Sequence, residues 1–317
     1  MGEFASTSLF ANRTFVLHTT AATTSAGGTA AAQVAVVFAV LGVGGSAGDV
    51  GTAAVAGLVP ALMFFLIGGA IADRWPRNLV LVAANTLSAL SQGVLAVLIL
   101  TGQARLGHMV AVSALNGLAM AFAMPASRGL LMRAVGREHG PRAFAVFRLA
   151  LNLAQIGGAA FGGVLVSVAG SGWSLGFDAL TFAITVVLLL SVRIEGTFST
   201  RGNLLGELRE GWAEFRARRW LGPVIVLFAA VNTLAVGAFE RVLGPVGVAG
   251  TGGGAAWGAI MACDATGMVL AGFVMLRWTP ARPLRSAIGG GGLTTLPILS
   301  VAGFRRLCGR PDRRSGG

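Results

Sequence analysis

Apolar runs long enough to cross a bilayer follow one another along most of the chain, and arginines mark the breaks between them. A crossing helix needs about 20 mainly apolar residues to cover roughly 30 Å of hydrocarbon. Hydrophobic residues make up 55% of this chain and charged residues only 11%, with a mean hydropathy of +0.77. Soluble domains carry about a quarter charged residues, so most of this chain cannot face water. The fold class these facts define is an all-α polytopic membrane protein.

The runs lie near residues 14–44, 52–73, 79–101, 107–127, 143–169 and 172–192, then 221–243, 254–276 and a thin ninth at 286–303. The first is rich in Thr and Gly, including Thr23-Thr24 and Gly27-Gly28. It is retained as a span because small and hydroxylated residues let helices pack closely in lipid. Between the sixth and seventh runs, Leu204 to Trp220 alternates acids and bases, with Leu204, Leu208, Trp212 and Phe215 on one helical face. That pattern fits an interfacial helix joining two bundles. The expected organisation is a six-span bundle over residues 1–193, a linker helix over 194–220, a partial second bundle over 221–303 and a basic tail over 304–317.

The net charge of +12 does not indicate nucleic-acid binding, because the 24 basic residues are all arginine and sit at the ends of apolar runs. Arg74, Arg77, Arg128, Arg133, Arg137 and Arg142 fall in alternate loops, joined by six more between Arg193 and Arg219. Basic loops stay cytoplasmic, which places the amino terminus inside, as in a bacterial inner-membrane protein. Two cysteines, Cys263 in an apolar run and Cys308 in the tail, imply no disulfide framework. No Walker loop, nucleophile elbow or cluster of metal-ligating His and Cys occurs. The reading is therefore a non-enzyme without cofactor or metal, whose surroundings are lipid.

Between the second and third runs the chain reads Gly68-Gly69-Ala70-Ile71-Ala72-Asp73-Arg74-Trp75-Pro76-Arg77. This charged hinge resembles the G-x-x-x-D-R-x-P-R loop between the second and third spans of major facilitator superfamily transporters. Four further stretches are similar to the enterobactin-exporter-like branch of drug and siderophore exporters: Ala123 to Leu131, Asn152 to Gly163, Trp173 to Phe182 and Glu210-Gly211-Trp212. The resemblance implies two bundles related by an axis along the membrane normal. A degraded second copy of the hinge fits that scheme, from Gly272 through Arg277-Trp278 to Arg282. From Arg74 to Arg193 there are 119 residues, but only 40 from Arg277 to Gly317. On this reading the second bundle lacks roughly three spans, which makes self-association of shortened chains a possible route to a working unit.

What the resemblance implies for the hinge is a gating motif made of Gly69, Asp73, Arg74, Pro76 and Arg77, with Arg128 as candidate partner of Asp73. Ionisable residues inside spans are costly and mark ion or substrate paths. Asp264, in the middle of the eighth run, is the candidate proton site; Arg148 lines a substrate path or snorkels to the surface. Gln33, Asn116, Asn152, Gln155 and Asn232 sit at span depth. Interhelical hydrogen bonding explains each as well as cavity lining does. Asp178 and Glu240 lie near outer run ends and read as solvated boundary residues, and His18 as a satisfied polar contact.

The expected function is secondary transport, with a small amphipathic molecule, a drug or siderophore, exported in exchange for protons. The alternatives are an inactive remnant of such a transporter and a channel-like or scaffold protein.

Overall fold

The computed structural model describes residues 6–192, together with positions 216, 217 and 223. Apart from those three positions, the linker helix and the last three runs, with Asn232, Glu240 and Asp264, lie outside the described residues. A short helix, α1 (Ser6–Ala11), precedes α2 (Arg13–Gly42), α3 (Ala47–Arg74), α4 (Arg77–Leu100), α5 (Leu106–Ala169) and α6 (Ser171–Leu190). α5 is two spans in one: Gly136, at φ 71°, breaks the helical path between a first arm, Leu106–Gly136, and a second arm, Arg142–Ala169. Among the described residues, six segments are thus long and apolar enough to cross a membrane.

Local chemistry sets the ends. Asn12 caps α2 by accepting from the Phe15 amide at 3.1 Å, a side-chain oxygen standing in for the missing turn. Ser46 opens α3 with a capping box: its Oγ accepts from the Asp49 amide, and Asp49 Oδ2 accepts from the Ser46 amide at 2.7 Å. Pro76 separates α3 from α4, as expected of a residue with fixed φ and no amide hydrogen. The first arm runs nine residues past its expected end at 127, through Arg128 and Arg133 to Gly136. The helix persists beyond the apolar run because exposed arginines are good helix formers.

Close backbone contacts fix how the helices pair. α2 and the second arm run parallel, Gly27 against Gly158 and Ala31 against Gly162. α3 and the first arm also run parallel, Gly57 against Gly117 and Gly68 against Ala121. α4 and α6 are antiparallel, with Gly93 facing Ala179 and Gly176 facing Ala96. α2 and α6 are antiparallel too, because Thr185 donates to the Ala21 carbonyl at 2.9 Å and Ser174 to that of Ala31 at 3.2 Å. Val80 and Leu81 of α4 pack on Ala126 and Leu130 of the first arm.

These pairs survive an exchange of the first three spans for the last three. The exchange turns α2 with the second arm into the first arm with α3, and α2 with α6 into the first arm with α4. Two three-helix units of opposite direction are the nested repeat of many secondary-transporter bundles.

α2, the run with the least typical composition, is the central helix. Half of its most apolar window is buried, against 11% for α3. Two of its hydroxyls turn back on their own helix, Thr23 to the Thr19 carbonyl at 2.9 Å and Thr24 to that of Thr20 at 2.8 Å, so these two demand no partner from lipid.

A Cβ on Gly158 would strike the backbone of Gly27, whereas one on Gly157 would meet nothing within 4 Å. We therefore expect Gly158→Ala to lower stability by about 1–3 kcal/mol through overpacking. Thermal unfolding of the purified protein in detergent should show a clear fall in Tm for Gly158→Ala and little change for Gly157→Ala.

Candidate functional site

The hinge is built by the end of α3 and the start of α4. Gly68 brings α3 to the backbone of the first arm at Ala121 and Phe122, which holds the two parallel helices together just before the charged turn. Gly69, half-buried, has nothing within 4 Å of where a Cβ would stand. Arg74 is the last residue of α3, Trp75 is exposed, Pro76 caps α4 and Arg77 is its first residue. The backbone of Asp73 lies in the last turn of α3; its side chain lies outside what is described, so its pairing with Arg128 remains a proposal.

Arg77, at the start of α4, contacts the first arm one residue beyond Arg128. Its guanidinium lies against Gly129, where a Cβ would collide with Nη1 and Cζ and stand 2.6 Å from Nε. Arg128, one residue earlier, is exposed. Gly129 is therefore a member of the hinge that sequence reasoning missed. Its signal was present in Ser127-Arg128-Gly129, but no helical pattern tells which glycine faces a guanidinium on the preceding helix.

The span-depth candidates separate into two groups. Arg148, Asn152 and Gln155 recur at helical spacing on the second arm; Arg148 and Gln155 are exposed and Asn152 half-buried. Residues spaced in this way share one helix face. Gln33 is exposed on α2. Asn116 donates to the Val112 carbonyl of its own helix at 3.0 Å and is half-buried. An exposed polar face at this depth is costly against lipid and inexpensive against water.

Two placements differ from the sequence reading. Asp178 is not a solvated boundary residue: it is fully buried, at 0% exposure, and accepts from Gln92 Nε2 of α4 at 2.8 Å. The error came from judging depth by distance to the run's end. Asp178 lies two turns inside α6 on the face toward α2 and α4, and the face decides burial. Ser174, Asp178, Thr181 and Thr185 form a stripe at helical spacing, all buried, and that spacing was the available signal. His18 is buried, but only partly the satisfied polar contact expected, because its Nδ1 has no hydrogen-bond partner. Its Nε2 lies 3.1 Å from Ser127 Oγ, and its ring stacks on Phe147 with centroids 5.5 Å apart.

An inverted three-plus-three helix bundle, with a charged turn packed on the first arm and a polar stripe at span depth, has the nested repeat architecture found in secondary transporters. The family profile of the Major Facilitator Superfamily matches residues 17–307, and the chain belongs to that family. It is thus a multi-pass membrane protein of that family. It is similar to the multidrug efflux pump Tap of Mycolicibacterium fortuitum, 30% identical over 234 residues, which cover 71% of this chain and 57% of that protein. It is also similar to a Na(+), Li(+), K(+)/H(+) antiporter of Planococcus maritimus, 29% identical over 164 residues, covering 50% of this chain and 36% of the antiporter. The chain therefore spans about half the length of these relatives or less.

If the Arg148 face borders water, a cysteine there reacts as a thiolate, which lipid suppresses. With Cys263 and Cys308 replaced by serine, Gln155→Cys should label with a membrane-impermeant maleimide at least about tenfold faster than Leu153→Cys, since thiolate is the reacting form. Equal rates would place both positions in the same surroundings.

Proposed function

We propose that the protein exports a small amphipathic molecule, a drug or siderophore, in exchange for protons. The observation that carries this reading is the exposed polar face Arg148-Asn152-Gln155 at span depth, in a chain whose relatives include a multidrug efflux pump and a cation/proton antiporter. A polar face bordering a midplane cavity gives a substrate hydrogen-bonding groups, while the apolar walls accept its hydrophobic part. The fit of Ala123 to Leu131 and Trp173 to Phe182 to the enterobactin-exporter-like branch supports this substrate class. The arginine-rich loops support a bacterial inner-membrane protein with its amino terminus in the cytoplasm.

The hinge gates the inner face in this reading. Asp73 belongs to the last turn at the carboxyl end of α3, the negative pole of that helix, an unfavourable place for an anion unless a cation lies close by. Arg128 is the proposed cation. Asp264 is the proposed proton-binding carboxyl of the second half, since a carboxylate in hydrocarbon is tolerated when it exchanges a proton.

Efflux of a dye and catecholate-siderophore panel from energised everted vesicles tests the reading, with a full-length relative as control. Asp73→Asn should lower gradient-driven transport about tenfold, the ratio equivalent to roughly 1.4 kcal/mol; an unchanged rate would remove the gating role. Asp264→Asn should flatten the pH dependence, and an unaltered pH profile would remove its proton role. Well-inserted protein that moves nothing the relative moves would favour an inactive remnant.

A further inference from the structure

The Asp178 carboxyl is fully buried, and its Oδ1 is among the buried side-chain atoms without a hydrogen-bond partner in the described residues. It sits where three helices meet. From α4, Gln92 donates through Nε2 to Oδ2 at 2.8 Å. From α2, the glycine backbone presses close: a Cβ on Gly28 would collide with the Thr181 side chain and stand 2.8 Å from Asp178 Oδ1. From its own helix, Thr181 turns its hydroxyl to the Asp178 backbone carbonyl at 2.8 Å. Thr29 of α2, half-buried, also stands beside the carboxyl.

None of these neighbours titrates or carries charge. His18, also on α2, lies ten residues from Gly28 and is engaged with Ser127 and Phe147. A charged carboxylate here would be a lone anion in the bundle interior, the most expensive form of burial.

Two buried acceptors in this cluster have no hydrogen-bond partner, Asp178 Oδ1 and Gln92 Oε1. They belong to the two side chains already joined through Nε2 and Oδ2. A carboxylate and an amide side by side hold three acceptor oxygens and a single amide donor group between them. One added proton on Oδ1 turns Asp178 into a donor, and a carboxylic acid and a primary amide then complement each other reciprocally.

We propose that Asp178 and Gln92 form an exchangeable proton site inside the amino-terminal bundle, with the proton on Asp178 Oδ1 directed to Gln92 Oε1. The site rests on the reading of the protein as a proton-coupled exporter for its role, but not for its existence. The proton exchanges with the surrounding water when the site opens. No other bond forms or breaks.

The test is infrared difference spectroscopy of the full-length protein in detergent, titrated from acidic to alkaline buffer, beside vesicle transport. Asp178→Asn is isosteric and keeps both hydrogen bonds of the neutral pair, so it should fold with a Tm near wild type. The expected result is a protonated-carboxyl band that disappears on alkalinisation and is missing from Asp178→Asn. The same variant should still let substrate move downhill but lose uphill, gradient-driven transport. Should Asp178→Asn not fold, Gln92→Met removes the partner amide and should shift the midpoint of the same band.

A wild-type spectrum in which no titrating band is lost in Asp178→Asn or shifted in Gln92→Met would overturn the site. A band displaced by sodium at constant pH would assign the oxygens to a metal cation instead. A titrating Asp178 band with transport unaffected in the variant would overturn its coupling role. A titrating band in a wild type that moves no substrate would sink the exporter reading and leave the proton site standing.

Discussion

In a bilayer no hydrophobic effect pulls one helix toward another, because lipid tails are as apolar as leucine side chains; contact must come from fit. This bundle meets that constraint by removing side chains where helices cross. Gly158 and Gly162, four residues apart, receive Gly27 and Ala31 of α2, also four apart, and Gly117 receives Gly57 of α3. With no Cβ between them, backbones approach closely and each atom pair gains dispersion energy that lipid cannot match. The pairing of six spans, and thus the position of every polar residue among them, follows from these few contacts.

The polar groups follow the opposite logic. Thr23, Thr24, Thr52 and Asn116 bond to their own helices and so leave the packing free. Ser174, Thr185 and Gln92 reach across instead, and they cluster where α2, α4 and α6 meet. Interhelical hydrogen bonds of this kind contribute only about 0.6 kcal/mol each on average in membranes. Such a small gain does not explain an acid at the centre of the bundle, which is why Asp178 invites a role other than adhesion.

Much of the architecture was legible in the sequence. The six runs of the first half correspond to the six membrane-long segments, since length and apolarity are properties of consecutive residues. The value of small residues in the first run was also readable, and α2 is indeed the most enclosed helix. What escaped depends on rotation about a helix axis. Asp178 was misplaced because its depth along α6 was weighed and its face was not. Gly129 escaped because its partner, Arg77, is remote in sequence. The join of the two arms escaped because Arg128 and Arg133 end an apolar run without ending a helix, and Gly136 alone turns the path.

The glycine crossings have a mechanical consequence. Helices that interlock through large side chains have their angle set by ridges seated in grooves. Where Gly27 meets Gly158 and Gly57 meets Gly117, there are no ridges to seat. Such a contact resists compression, because backbone abuts backbone, yet little opposes a change of tilt. It behaves as a plain bearing, holding the distance between two shafts while letting them swivel.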